Sequence, residues 1–200
     1  MKVAICVPAR DHVHAGFALS LSNISSLLTK NNIDFKIFIN LGSVIPQQRN
    51  TLVDQALEYD ATHIMWLDSD MHVPSATVNT LLDHDKDIVA AAYSTRVPPY
   101  NITAWPDSDN LNVRLDASKG LHKIWAVAMG CMLVKTHVYK YISKPYHQYL
   151  YNEDTKDLSG EDIFFCKNAN DAGFEIYVDA SLSQEIAHYG TKSFRLKDLQ

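Results

Sequence analysis

The 200-residue chain is 46% hydrophobic and 20% charged, which suits one globular domain with a sizeable core. Its net charge of -5 provides no basic field, and this excludes broad binding to nucleic acid or to anionic membrane surfaces. No run of about twenty apolar residues offers a membrane span.

Lys2 to Val7 is a compact β-rich run and forms the first predicted strand. Ala15 to Lys30 carries Phe17, Leu21, Ile24 and Leu28 at spacings of three to four, which predicts an amphipathic helix. Asp34 to Asn40 alternates Phe35, Ile37 and Ile39 with polar neighbours and is a second strand. Pro46 suits the first position of a second helix running to Tyr59, with Leu52, Val53, Ala56 and Leu57 inward. Ile64 to Leu67 is a third strand, Val73 to His84 a third helix and Asp87 to Tyr93 a fourth strand. This alternation predicts an α/β fold with a mostly parallel sheet covered on both faces.

Beyond residue 94 the pattern changes. Residues 95 to 121 hold Pro98, Pro99 and Pro106 without periodicity and are expected to be a long functional loop. Trp125 to Val134 is expected to be one buried strand, with Gly130 permitting close approach of a ligand or backbone. Residues 144 to 160 are expected to be mobile. Ser159-Gly-Glu161-Asp162 opens a helix that Gly173 ends, Glu175 to Asp179 is a strand, and Ala187-His188-Tyr189-Gly190 follows. Cys6, Cys131 and Cys166 lack zinc spacing and sit among apolar neighbours, so they are read as core residues of a protein in a reducing compartment. The apolar run in MKVAICVPAR is too short for a signal sequence. The expected location is therefore the cytoplasm, with the Asn101-Ile-Thr103 sequon unused.

The most informative stretch is His63-Ile-Met-Trp-Leu-Asp68-Ser-Asp70-Met-His72, where an apolar strand stops at two carboxylates one residue apart. A bend there lets both reach one cation, and two such carboxylates repel unless something positive sits between them. Oxygen ligation of this kind suits Mg²⁺ or Mn²⁺, which accept phosphate oxygens as further ligands. A solvated Asp-Ser-Asp turn would give the same residues. Parallel sheets bind ligands at the carboxyl ends of their strands, which selects Asp68, Ser69 and Asp70 at one end and Pro8, Ala9 and Arg10 at another.

Four features in register, the Asp-x-Asp after a third strand, the MGCMLV strand, the Gly-Glu-Asp helix start and the late His188-x-Gly190, resemble a Rossmann-like GT-A fold, nucleotide-sugar-dependent glycosyltransferase over roughly residues 1 to 190. The resemblance implies that Asp68 and Asp70 hold Mn²⁺ or Mg²⁺ against the donor diphosphate, with His188 as a third metal ligand. It implies that the Glu161-Asp162 pair supplies the base of an inverting transfer, or orients the acceptor if transfer is retaining. It places Arg10 in the loop that grips the nucleotide, and Asn40 where family members often keep an Asp for uracil, so the base preference is open. A further resemblance, without a motif of its own, is to the N-terminal domain of glycosyltransferases that large algal viruses use on capsid glycans, which would put the chain in a host cytoplasm. The expected donor is a UDP-linked hexose or deoxyhexose and the expected acceptor a glycan or glycoprotein, with no nucleic acid and no membrane insertion.

Each assignment has a competing structural role. Arg49, about one helical turn from Leu52 and Val53, faces inward and is a candidate for the diphosphate or the base, or a surface residue covering the core with its stem. Asp162 also fits a capping box with Ser159. His12 and His14 fit helix N-cap surroundings as well as phosphate contact, and His72 is expected behind the ligands rather than among them. Tyr100, Trp105, Trp125, Tyr146, Tyr149 and Tyr151 are candidate stacking faces for sugar rings or packing residues. The ending FRLKDLQ suggests one domain, 1 to 200, cut from a longer polypeptide. Two other functions fit the motif: a haloacid-dehalogenase-like phosphatase, which normally carries Asp-x-Asp on its first strand, and a non-catalytic nucleotide or glycan-binding module.

Overall fold

The computed structural model of the chain describes residues 1–108, 119–153 and 156–190. The first half follows the predicted order: β1 Lys2–Ala9, α1 Ala15–Lys30, β2 Asp34–Leu41, α2 Ile45–Glu58, β3 His63–Leu67, β4 Met71–His72, α3 Thr77–Asp83 and β5 Ile88–Ala90. The second half adds β6 Ala104–Trp105, β7 Leu121–Ile124, β8 Ala126–Val127, β9 Cys131–Lys135, α4 Val138–Tyr141, β10 Leu150–Asn152, β11 Asp157–Ser159, α5 Glu161–Asp171, β12 Ile176–Asp179, α6 Ala180–Ser183 and β13 Ala187–His188.

The central sheet has seven strands in the order β2-β1-β3-β9-β5-β12-β7. β1 pairs parallel with β2 and β3, and β12 with β5, while β9 lies antiparallel between β3 and β5 and β7 closes the edge antiparallel to β12. Five strands therefore run one way and two the other, the mostly parallel sheet expected. Alternation along the strands splits the core. Ala4, Cys6, Ile64 and Trp66 pack on one face under Leu52, Val53 and Ala56 of α2 and Phe165, Cys166 and Ala169 of α5. Val3, Ile5, Val7, Met65 and Leu67 pack on the other under Phe17, Ile24 and Leu28 of α1 and Val78 and Leu81 of α3. All three cysteines are free and buried in this core.

The departures from expectation have local causes. The third helix starts at Thr77 rather than Val73, because Val73 precedes Pro74 and is driven from helical geometry. The expected Trp125–Val134 strand is two strands broken at 128–130, where Gly130 turns the chain. A Cβ on Gly130 would lie 2.5 Å from the Tyr93 hydroxyl, so the close approach there is by a side chain, and Gly130 N–H donates to that hydroxyl at 3.1 Å. The described residues of 144–160 carry fixed contacts where mobility is expected from the sequence. Tyr146 and His147 are buried, Asn50 Oδ1 accepts from both backbone N–H groups, and β10 pairs with β11. The part of the 95–121 loop at 109–118 and the FRLKDLQ ending lie outside the described residues. Among the described residues no helix is long and apolar enough to cross a membrane.

Candidate active site

The site forms beyond the carboxyl ends of β1, β3 and β5. The Asp68-Ser69-Asp70 turn is held from three sides: Asp68 N–H donates to Gly130 at 3.1 Å, His14 N–H to the Ser69 carbonyl at 2.9 Å and Tyr189 N–H to the Asp70 carbonyl at 2.8 Å. β4 then pairs with β13, setting His188 opposite Met71, and this short ribbon delivers the late histidine to the aspartates. His188 Nε2 lies 3.4 Å from Asp70 Oδ2, and its Nδ1 lies 3.2 Å from the Ser94 carbonyl. A carbonyl only accepts, so the ring proton belongs on Nδ1 and the Nε2 lone pair points at a carboxylate oxygen. Two acceptors facing each other call for a proton or a cation, and a histidine whose other nitrogen donates to a backbone carbonyl is the usual arrangement of a metal ligand. Partial burial works against the Asp70 charge, yet Arg96, joined by His188 when Nε2 carries a proton, outweighs it and holds its pKa below the ordinary carboxylate value. The pair fits a divalent cation.

Asp68 is placed differently. Arg49, whose side chain is 3% exposed, donates from Nη2 to Asp68 Oδ1 at 2.8 Å and from Nε to Glu161 Oε1 at 3.0 Å, with its guanidinium 5.2 Å from the centre of the Trp66 ring. Burial alone would favour a neutral guanidine, but Asp68 and Glu161 more than compensate and raise its pKa. Arg49 is thus not a surface residue: it ties the end of β3 to the start of α5. Among the described residues no three His, Cys, Asp or Glu side chains converge as they stand, since Asp68 faces Arg49 while Asp70 faces His188.

Asp162 does not form the capping box with Ser159. Gly160 is the N-cap residue and no side chain caps the helix, while Asp162 Oδ1 accepts from the N–H of Ile163 at 2.8 Å. Burial first, and the neighbouring Glu161 charge second, push its pKa up to about 6. With Glu161 committed to Arg49, Asp162 is the acid of the pair with basicity suited to neutral pH. Tyr149, whose pKa is raised by burial and by the Glu161 and Asp162 charges, stands at the same edge.

A cleft of about 250 Å³ borders Asp70 and is lined by Arg10, Asp11, His12, His14, Ser69, Arg96 and Tyr189. Of the residues expected to meet a nucleotide, Arg10, Ser69 and Asp70 line it. Pro8 and Ala9 are buried in β1 and, like Asn40, are not among the residues lining this cleft; the Ala9 and Asn40 carbonyls accept from the Gln48 amide at 2.7 and 2.6 Å. His14 is the N-cap of α1, accepting from Gly16 N–H at 3.1 Å, and its ring stacks on Tyr189 at 3.9 Å. His72 is exposed and faces Ser20 Oγ at 3.5 Å rather than standing behind the ligands. His147 is buried against Trp66 and Phe165, and burial with the nearby Arg49 charge keeps its pKa well below the ordinary value. Of the candidate stacking faces, Tyr100, Tyr149 and Tyr151 are exposed, whereas Tyr146 is buried and Trp105 and Trp125 pack against the core.

Sequence reading missed Arg96, Tyr189 and Gln48. Arg96 follows the fourth strand much as Arg10 follows the first, so the strand-end rule that selected Arg10 applies to it equally.

The sheet order gives the chain a mostly parallel α/β fold similar to that of glycosyltransferase structures. The Anp1 family model matches residues 40–119. The mannan polymerase complex subunit mnn9 of Schizosaccharomyces pombe is 32% identical over 65 residues, which are 30% of this chain and 19% of that protein, so the chain spans about a fifth of that relative's length. Among solved structures, A197 from STIV superposes with a TM-score of 0.60 at 16% identity, covering all of both chains. A Drosophila β-1,4-galactosyltransferase 7, solved with manganese, UDP-Gal and xylobiose, superposes with a TM-score of 0.52 at 15% identity over 99% of this chain and 78% of that one. These two likenesses concern the fold. A glycosyltransferase involved in glycosylation of the PBCV-1 major capsid superposes at 0.33 with 13% identity over 73% of this chain and 69% of that one, too weakly to bear on the expected viral kinship.

Proposed function

We propose that the chain transfers a hexose or deoxyhexose from a nucleoside diphosphate, UDP being the first candidate, to a hydroxyl of a glycan or glycoprotein acceptor, with Mn²⁺ or Mg²⁺ held by Asp68, Asp70 and His188. The observation that carries this reading is the Asp70–His188 pair beside a cleft together with a carboxylate of raised pKa at Asp162, their chain neighbours Asp68 and Glu161 being joined through Arg49. The similarity to a mannan polymerase subunit supports a hexose and a glycan acceptor, and the fold neighbour solved with manganese and UDP-Gal supports a metal and a nucleotide sugar.

When bound, the cation would offset the negative charge that grows on the departing diphosphate. The chain's own groups do the rest. Asp162 takes the proton of the acceptor hydroxyl as its oxygen bonds to the anomeric carbon, and the bond from that carbon to the diphosphate oxygen breaks, so the nucleoside diphosphate leaves and configuration inverts. Arg49 keeps Glu161 from competing for that proton, and Arg10, His12 and His14 line the cleft on the phosphate side.

Calorimetric titration of UDP, GDP and CDP with and without Mn²⁺, on wild type and Asp70→Ala, tests the reading. Metal-dependent binding of one nucleotide, lost in the variant, is the expected result. No binding of any nucleotide by folded, Mn²⁺-supplied protein would sink it, and release of phosphate from an aryl phosphate would favour the phosphatase.

A further inference from the structure

Arg96 is the cation nearest Asp70. Its Nη1 donates to Asp70 Oδ2 at 2.5 Å and reaches the Tyr189 carbonyl at 3.4 Å. Oδ2 is the same oxygen that faces His188 Nε2. A guanidinium and a divalent cation cannot share that oxygen without strong repulsion, so occupancy by one weakens the hold of the other.

The two arginines of the site differ in freedom. Arg49 is buried and spent on two carboxylates, whereas the Arg96 side chain is 49% exposed. The segment that carries Arg96 is pinned at its base by the Ser94–Ile102 bridge and by Thr95 N–H donating to Asn101 at 2.9 Å. Its stem packs on Gly190, where a Cβ would come within 3.4 Å of Arg96 Cδ. The base is therefore anchored and the tip is free to turn. Arg96 also stands on the partition between two clefts, the one lined by Arg10, His12, His14 and Asp70 and a second lined by Ser94, Tyr100 and His188, so a change of rotamer keeps it within reach of either.

The geometry points to Arg96 as a diphosphate-binding residue that alternates between Asp70 and the donor: a divalent cation arriving at Asp70 releases the guanidinium, which then pairs with the phosphate oxygens. This rests on the nucleotide-binding reading of the cleft. A planar fork of donors matches phosphate oxygens bidentately, and as the sugar departs the diphosphate gains negative charge beyond what one divalent cation offsets. Arg96 supplies the remainder.

The consequence is a pair of opposite effects from one substitution. With Mn²⁺ alone, followed by the electron spin resonance of the free ion, Arg96→Ala binds the metal about threefold to tenfold more tightly than wild type, because the competing guanidinium is gone. With UDP or GDP at saturating Mn²⁺, the same variant binds the nucleotide about tenfold more weakly, the loss of a charge-assisted contact. Arg96→Lys keeps a charge without the fork and falls between the two on both readings. The side chain is half exposed, so the variants fold. If Arg96→Ala leaves Mn²⁺ affinity unchanged, or leaves nucleotide affinity unchanged, the inference is overturned while the cleft keeps its assignment. If wild type binds neither Mn²⁺ nor nucleotide, the assignment of the cleft fails and takes this inference with it.

Discussion

Arg49 donates to Glu161 at 3.0 Å across 112 residues of chain, and the same guanidinium donates to Asp68 at 2.8 Å. One buried cation thus sets the distance between Asp68 and the start of α5. The remaining nitrogen, Nη1, is buried without a hydrogen-bond partner among the described residues. Replacing Arg49 with Met removes the charge from between two carboxylates and is expected to cost about 3 kcal/mol, near the lower end for a broken buried pair because Asp68 is 27% exposed. Urea unfolding measures this. Arg49→Lys keeps the charge but reaches both acids poorly, and the expected signature is a smaller stability loss with transfer activity still reduced.

The raised pKa of Asp162 gives pH a defined direction. A carboxyl whose folded pKa of about 6 exceeds its unfolded value near 4 binds its proton more tightly in the folded protein. Its contribution to stability is therefore fully present below pH 4 and is lost as pH rises from 4 to 6. Activity runs the other way, since the base must be ionised, and is expected to fall as pH drops through about 6. Asp162→Asn should lower transfer by about 10²- to 10⁴-fold, the usual contribution of general base catalysis, and should remove this part of the pH dependence of unfolding. A transfer assay and urea unfolding between pH 4 and 8 on both proteins check the pair, and a variant that retains transfer would assign the base elsewhere.

Gly160 offers a subtler displacement of the same group. Its backbone is ordinary extended geometry at φ -66° and ψ 163°, so alanine brings no strain there. The added Cβ would sit 2.4 Å from Asp162 Oδ1, and the carboxylate must rotate away. The expected result for Gly160→Ala is near-native thermal stability with transfer reduced at least tenfold, the cost of a base misplaced by about 1 Å. Equal loss of stability and activity would show that Gly160 serves the fold instead.

The parts of this site that a sequence reveals are those encoded locally. The α1 stripe of Phe17, Ile24 and Leu28 and the alternation of β2 place both elements to within a residue, because their periods lie within short windows. Gly173 closes α5 with φ +88°, as its composition predicts. Other relationships depend on contacts between distant segments. Nothing near Arg96 announces that it meets Asp70, and nothing near His147 announces burial against Trp66, because each depends on how loops fold back over the strand ends. The break in the Trp125–Val134 run is hidden for the same reason. The apolar character is continuous, and only the tertiary approach of Tyr93 shows why a glycine must stand at the turn.

The metal-side residues should separate by role when each is removed. His188, with a side chain 15% exposed, touches the Ser94 carbonyl and Asp70 as its polar side-chain partners among the described residues. His188→Ala is therefore expected to leave the unfolding midpoint nearly unchanged while weakening Mn²⁺ binding by tenfold or more, at least the loss seen when an outer-shell partner of a metal ligand is removed. Asp68→Asn should weaken Mn²⁺ binding and also lower the unfolding midpoint, because the same carboxylate satisfies the buried Arg49. Asp70→Asn should resemble His188→Ala in metal binding and also free Arg96, whose link to Asp70 is exposed and worth little to stability. Mn²⁺ titration alongside thermal unfolding of the three variants distinguishes these cases. Full metal affinity in His188→Ala would remove the histidine from the ligand set and leave Asp70 to hold the ion with Asp68 alone.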